Sequence, residues 1–299
     1  MPEVEITARL LDRALAGAEI ESALAPGINA LRTFDPPLTA IEGQRIVGVR
    51  RRGKQLIVDV SGELVLLIHL MSAGRLQLYD KRAGMRDRTS RLLVRVRTSA
   101  REDGDEDPAD GSARASPGRE LELRLREFGS KQAAWVKVLR AGELEREESI
   151  ATLGPEAWPD PPALDDLLAV PRPLHALMRD QRVISGIGRS WVDEILWEAR
   201  LSPFKRGADL DGEEAARLRD AVIETLARAL SHYEQVVALP IPDKLPMPLR
   251  VHRHEGEPCP RCETRLEAVH FEDYVIAYCP ACQTEGRVLK DRRLSRLLR

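Results

Sequence analysis

Gly256-Glu257-Pro258-Cys259-Pro260-Arg261-Cys262 and Cys279-Pro280-Ala281-Cys282 contain all four cysteines of the chain, with sixteen residues between the two C-x-x-C pairs. Each pair puts two thiolates on one tight knuckle. Two knuckles bring four sulfurs to one centre, which is the geometry of a closed tetrahedral Zn²⁺ site. The same spacing also fits two disulfides, a rubredoxin-like iron or a chance arrangement. Nothing in the chain suggests secretion, which weighs against disulfides. The reading is one structural Zn²⁺ on Cys259, Cys262, Cys279 and Cys282. Four cysteines leave no position for a metal-bound water, so this ion is expected to hold a fold and do no chemistry. A β-hairpin (266–270 and 275–278) is predicted between the knuckles. His252, His254 and His270 read as hairpin surface.

Working outward from this tail, Pro240, Pro242, Pro246 and Pro248 mark a linker. Before it lie four stretches with helical periodicity, at 163–169, 172–179, 190–199 and 213–232. A Pro-rich boundary at 154–162 precedes them. Upstream of that boundary the pattern changes to short β-runs at 45–50, 55–60, 63–68, 75–78, 91–97, 120–126 and 134–139. That many strands in one region predict a sandwich or barrel. A helix over 4–16 leads them, with Val4, Ala8, Leu11 and Leu15 on one face and Gly17 at its end. The fold class is therefore α+β. The domains expected are a sheet domain at 1–150, a helical domain at 151–245 and a metal module at 246–299. An acidic, small-residue segment at about 100–118 reads as a disordered loop.

Length and charge bound the function less tightly. The chain has 299 residues, enough for two or three domains, and a formal net charge of −2. No Lys/Arg-led apolar run opens the sequence, so no signal peptide is expected, and the longest apolar run, Leu64 to Met71, is too short to span a bilayer. A soluble, cytoplasmic protein is expected. Near-neutral net charge leaves nucleic-acid binding to local patches. Arg45, Arg50, Arg51, Arg52 and Lys54 form one such patch, or a solvated strand edge. Gly186-Ile187-Gly188 before a helix leaves backbone N–H groups able to meet a phosphate, although Gly-x-Gly is common in turns. Phe128 alone reads as a core residue.

The N-terminus reads Met1-Pro2-Glu3-Val4-Glu5. Removing Met1 would expose a secondary amine at Pro2, and an α-amino group titrates near pH 7.7–8.0. Such an amine can form a Schiff base with a carbonyl carbon. The same residues also make an ordinary helix start, with Pro at the first turn and Glu near the positive end of the dipole.

Taken together, these features resemble the formamidopyrimidine-DNA glycosylase / endonuclease VIII family over nearly the whole chain. Pro2-Glu3-Val4-Glu5 is similar to its opening and Arg51-Arg52-Gly53-Lys54 to its Arg/Lys-Gly-Lys strand turn. Leu153-Gly154-Pro155-Glu156 is similar to its inter-domain junction. Asp180 through Gly188, then Asp193-Glu194-Ile195-Leu196, resembles its helix–two-turn–helix signature. Phe34-Asp35-Pro36-Pro37 and the ending Asp291 to Leu298 look closest to an actinobacterial branch.

The resemblance implies a bifunctional DNA glycosylase and AP lyase of base excision repair, a monomer acting on duplex DNA with oxidised bases or abasic sites. The target base must leave the stack for such chemistry. By the family pattern Pro2 is the nucleophile, Glu3 the acid, and Lys54 holds the phosphate beside the lesion. Arg126 and Phe128 would fill the vacated space. Gly188, Arg189 and Tyr274 would contact DNA. Arg189 stands where the family has Asn, and Tyr274 where many members have Arg. In His69-Leu70-Met71-Ser72-Ala73-Gly74 the family's void-filling Met is displaced by one position. The family opens Met-Pro-Glu-Leu-Pro-Glu-Val-Glu, so two registers fit. Either Pro2-Glu3 is the catalytic pair, or Pro2 matches the second proline and Met1 marks a Leu codon read as a start. The shortened opening, together with Tyr274 and Arg189, supports a runner-up, a paralogue that binds damaged or abasic DNA with weak or no glycosylase activity. A zinc-ribbon interaction protein without a DNA role would explain the cysteines alone.

Overall fold

A computed structural model of the chain describes residues 1–27, 29–84, 87–98, 118–128, 132–272 and 274–289. The acidic loop expected at about 100–118 falls almost wholly outside them. The chain forms two compact units. One comprises Glu3–Ala151 with Val236–Leu245, and the other Met1–Pro2, Thr152–Gln235 and Pro246–Arg299.

The sheet unit begins with helix α1 (Pro2–Leu15) and strand β1 (Glu19–Leu24), followed by β2 (Ile46–Arg52), β3 (Gln55–Val60), β4 (Leu64–His69) and β5 (Gly74–Tyr79). It closes with β6 (Ser90–Arg97), β7 (Glu120–Glu127), β8 (Trp135–Arg140) and the short helix α2 (Glu148–Ala151). Two four-stranded antiparallel sheets result, ordered β1-β6-β7-β5 and β2-β3-β4-β8. Their inner faces share one core, in which Leu56, Leu66, Ile68, Leu92, Leu125 and Val136 are almost fully buried. Between them Ile57, Val65 and Leu67 are buried outside this core, and the charged Glu122, Arg124 and Glu127 of β7 are buried as well.

α1 covers this core with the stripe its spacing predicted, Val4, Ala8, Leu11 and Leu15. The helix starts at Pro2, whose missing N–H costs nothing in the first turn. It ends at Gly17, which takes φ +84°. Asp12 then accepts from the Val49 N–H at 2.7 Å, tying the helix to β2. Residues 236–245, which the linker reading placed with the helices, cluster instead with the sheets. Gln77 on β5 donates to the Ile241 carbonyl and to Asp243 Oδ1 at 3.0 Å.

The helical unit contains α3 (Leu164–Leu168), α4 (Leu174–Arg179), α5 (Arg189–Glu198), α6 (Gly212–Val236), the hairpin strands β9 (Glu267–His270) and β10 (Val275–Tyr278), and α7 (Pro280–Gln283). Asp211 and Glu214 cap α6 reciprocally: Asp211 Oδ1 accepts from the Glu214 N–H at 2.8 Å, and Glu214 Oε2 from the Asp211 N–H at 3.2 Å. Two glycines in this unit are required by close approach. A Cβ at Gly154 would stand 2.5 Å from the Val183 carbonyl oxygen, and one at Gly207 would stand 1.9 Å from that of Leu168.

Candidate functional site

Tyr278-Cys279-Pro280-Ala281-Cys282 forms a knuckle because Pro280 opens α7 and Cys279 Sγ accepts from the Cys282 N–H at 3.4 Å. The partner knuckle bends likewise, the Arg261 N–H reaching Cys259 Sγ at 3.5 Å. The four sulfurs lie within 4.8 Å of one another, with Cys262 to Cys279 at 3.5 Å, Cys262 to Cys282 at 3.4 Å and Cys259 to Cys282 at 3.9 Å. A tetrahedron with metal–sulfur bonds of about 2.3 Å has edges of about 3.8 Å. A disulfide would need about 2.05 Å. The donor set therefore fits one four-coordinate metal ion and no disulfide. Trp197 Nε1 donates to Cys259 Sγ at 3.3 Å, and Trp197 is itself stacked under the Arg261 guanidinium at 4.1 Å. These contacts anchor the cluster to α5.

α5 carries a buried polar frame that residue spacing did not reveal. Asp193 is 1% exposed; its Oδ2 accepts from His252 Nδ1 at 2.7 Å and from the Ala277 N–H of β10 at 3.0 Å. Its Oδ1 stands 3.3 Å from His175 Nε2 on α4. Glu194 accepts from the backbone N–H groups of Arg250, Val251 and His252. Burial pushes the Glu194 carboxyl up, and those three bonds oppose the shift. His252 is thus a buried partner of α5, not hairpin surface, because Asp193 draws its ring inward. His254 matches the surface reading more closely, paired with Glu257 at 2.9 Å.

The two turns before α5 are set by Gln181. Its Nε2 donates to the Ile187 carbonyl at 3.0 Å and its Oε1 accepts from the Gly186 N–H at 3.0 Å. Gly186 takes φ +101°, and Gly188 is the N-cap of α5 with no side chain to satisfy the first amides. Arg189 is the first residue of the helix and is exposed. Met1 packs against this turn, 3.2 Å from where a Gly186 Cβ would be, and is 2% exposed. Pro2, next to it, is buried as the first residue of α1.

Tyr274 lies immediately before β10. Its ring stacks on Phe271 at 4.4 Å and parallel to His175 at 5.9 Å, while Arg179 and Arg189 extend over it at 4.2 and 5.3 Å. An apolar cavity of about 390 Å³ opens beside these rings, walled also by Phe204, Val269 and Ile276. Nothing in the spacing of the sequence marked Arg179, His175 or Phe271, because α4 and the hairpin, nearly a hundred residues apart, bring them to Tyr274.

In the sheet unit, Glu3 lies in the first turn of α1. Lys54 occupies the tip of the β2–β3 hairpin, placed there by Gly53 with φ +58°. Three members of the basic patch are matched with acids: Arg51 with Glu5 at 2.6 Å, Arg50 with Asp59 at 2.7 Å and Arg45 with Glu19 at 3.5 Å. His69, across the sheet from Gln55, is held at about 4, first by burial and then by the charges of Lys54 and Arg32. Arg126 on β7 donates to the Tyr79 hydroxyl at 2.8 Å and covers the Phe128 ring at 4.6 Å. Phe128 is 36% exposed, so it is not a core residue; Met71 is 48% exposed with φ +51°.

Comparison with known proteins adds to this geometry. The sequence profile of the formamidopyrimidine-DNA glycosylase N-terminal domain matches residues 1–110, and that of the formamidopyrimidine-DNA glycosylase H2TH domain matches residues 156–239. A formamidopyrimidine-DNA glycosylase of Thermus thermophilus is 31% identical across 96% of this chain and 98% of its own length. An uncharacterized formamidopyrimidine-DNA glycosylase-like protein of Mycobacterium tuberculosis is 39% identical over 42% of this chain and 80% of itself, consistent with the actinobacterial likeness. Among solved structures, Lactococcus lactis Fpg in complex with DNA containing an abasic site superposes with a TM-score of 0.77 at 22% identity, covering 95% of this chain and 99% of the other. MutM in complex with DNA containing carbocyclic 8-oxo-G does so with a TM-score of 0.76 at 23% identity, covering the same shares of the two chains. At these identities the superpositions speak for the fold. Among the described residues, no helix is long and apolar enough to cross a membrane.

Proposed function

The chain belongs to the formamidopyrimidine-DNA glycosylase family, and from that premise we propose that it is a base-excision DNA glycosylase with AP lyase activity. Its substrate is duplex DNA carrying oxidised bases or abasic sites, and it acts as a monomer. One observation carries this reading: Met1 and Pro2 cluster with the Gly186–Gly188 turn and the four-cysteine hairpin in one compact unit. A phosphate held at the Gly186–Gly188 turn would lie beside Met1.

Once Met1 is removed, the Pro2 nitrogen is a secondary amine with a substantial neutral fraction near pH 7.5. It attacks the anomeric carbon of the flipped nucleotide. The glycosidic bond breaks, the base departs with its electron pair and takes up the proton the amine gives up, and Glu3 supplies a proton to the ring oxygen as the sugar ring opens. The nitrogen is then an iminium. Loss of a proton from the neighbouring carbon expels the 3′ phosphate and cuts the strand. Lys54 neutralises a phosphate beside the lesion, Arg126 and Phe128 occupy the space left by the base, and Gly188, Arg189 and Tyr274 engage the backbone. One Zn²⁺ on Cys259, Cys262, Cys279 and Cys282 holds the hairpin against α5 and takes no part in the reaction.

A second reading is favoured by the burial of Met1 and Pro2. If Met1 is retained, the Pro2 nitrogen is an amide without a reactive lone pair, and the protein binds abasic DNA without forming a Schiff base. Borohydride trapping on duplex DNA with an abasic site, together with the intact mass of the protein, decides between them. The first reading expects a covalent adduct on chains lacking Met1. Duplex binding with no adduct, either from this chain or when Met-Pro-Glu-Leu replaces Met1, would establish the second, whereas an adduct only from the extended chain would place the fault in the start site. Loss of both binding and trapping would leave only a zinc-held interaction module.

A further inference from the structure

Arg179, in the last turn of α4, is half-buried and holds its guanidinium 4.2 Å from the centroid of Tyr274. Arg189 approaches the same ring at 5.3 Å from α5. Both lie within the roughly 6 Å range of cation–π attraction. A ring quadrupole orients a guanidinium but supplies no countercharge. Arg179 has no carboxylate partner among the described residues, and Asp180 and the acids of α5 are engaged elsewhere. Asp180, just past α4, faces Arg172 at 3.3 Å. Asp193 is taken by His252 and the Ala277 N–H, and Glu194 by three backbone N–H groups. Glu198 faces Arg228, Arg250 and Arg261. Phe271, stacked on Tyr274 at an interplanar angle of 7°, and His175 at 6° fix the ring plane. Two arginines are therefore held over one ring that α4 and the hairpin keep in place.

We propose that Arg179 and Arg189 together receive one phosphodiester of the DNA backbone, and that Tyr274 is their positioning residue, acting through its ring. This deepens the DNA-binding reading and rests on it. Planar guanidinium forks match phosphate oxygens two by two, so a pair preset by stacking loses little freedom on binding. Placing the charge on α4 and α5 leaves the hairpin to contribute a platform rather than a cation. The DNA contact expected of Tyr274 becomes a contact made by the arginines.

The test is fluorescence anisotropy of the zinc-loaded protein on a duplex containing a tetrahydrofuran abasic-site analogue, between 50 and 200 mM salt. Arg179→Gln is expected to weaken binding at low salt by about tenfold and to lower the slope of log K against log salt by about 0.9, one phosphate contact. Arg206→Gln, a cation of the same unit paired with Asp209 at 2.7 Å, is expected to change neither. Tyr274→Phe should bind as the parent does, and Tyr274→Leu should lose what Arg179→Gln loses, with little further loss when the two are combined. Arg179→Lys, which keeps the charge without the fork, should retain the slope and weaken binding severalfold; it serves if the glutamine variant folds poorly. An unchanged slope in Arg179→Gln overturns the proposal, as does an equal loss from Arg206→Gln. Tyr274→Phe behaving like Tyr274→Leu overturns the ring's role and makes the hydroxyl the ligand. A parent protein that traps abasic DNA while Arg179→Gln is neutral sinks this inference alone. A parent with no salt-dependent duplex binding sinks the DNA reading with it.

Discussion

Replacing Asp193 by alanine should destabilise the helical unit by roughly 4 kcal/mol. Two donors lose their acceptor: the Ala277 N–H, bonded at 3.0 Å, and His252 Nδ1, bonded at 2.7 Å. Both residues are nearly buried, at 1% and 6% exposure, so water does not replace the carboxylate. Each orphaned buried donor costs about 1–3 kcal/mol, which sums to 2–6. His175 Nε2 adds little, since at 3.3 Å it makes no hydrogen bond to Asp193. A loss of this size is a large share of the roughly 5–15 kcal/mol that holds a typical domain. Both donors converge on Oδ2, so Asp193→Asn, with its amide oxygen in that place, keeps an acceptor for each and should lose clearly less. The assay is urea unfolding of the zinc-loaded protein followed by tryptophan fluorescence, because Trp191 and Trp197 lie on the same helix as Asp193. Amide exchange at Ala277 should quicken in step. A change below about 1 kcal/mol in Asp193→Ala would refute the reasoning, since the donors would then have found other partners. Equal losses for Asn and Ala would refute the assignment of the carboxylate as a double acceptor.

Other outcomes follow from individual contacts. Gly207→Ala puts a Cβ 1.9 Å from the Leu168 carbonyl oxygen, a backbone atom that cannot swing aside. It should cost at least about 2 kcal/mol in thermal unfolding, and a neutral result would refute the tight approach. His69, at about 4 against an ordinary 6.5, resists a proton that the unfolded chain accepts. Its contribution of up to about 3 kcal/mol is complete above pH 6.5 and is lost as pH falls toward 4. His69→Gln should flatten that part of the stability profile, and an NMR titration of His69 near 6.5 would refute it. Cys279→Ser should abolish tight retention of one zinc per chain by atomic absorption and shift Trp197 emission, since Trp197 donates to the neighbouring Cys259. Retention of a full equivalent would refute four-sulfur ligation.

Periodicity located most of the sandwich because its strands are short apolar-rich runs set off by Gly or charged turns, although β3 and β4 are buried at nearly every position and alternate little. β3 was read at its observed bounds, and the neighbouring strands to within about two residues at each end. β1 was missed for a local reason. A bulge between Ile20 and Ser22 interrupts its alternation, and only pairing with β6 makes it a strand. The helices of the second unit were legible from their apolar stripes, yet His252 was misread. No local pattern records that Asp193, fifty-nine residues earlier, takes its ring nitrogen.

The sequence by itself determined the α+β class, the α1 stripe, the Gly-x-Gly turn before α5 and the four thiols. Each is a short-range matter of spacing, backbone sterics or residue chemistry. Only the tertiary structure decided which side chains share a neighbourhood. It put Met1 against Gly186, set Asp193 between His252 and β10, and held Arg179 and Arg189 over Tyr274. It also matched most of the apparent basic patch with acids. Burial and charge pairing depend on segments far apart in the chain, and spacing along one segment carries no record of them.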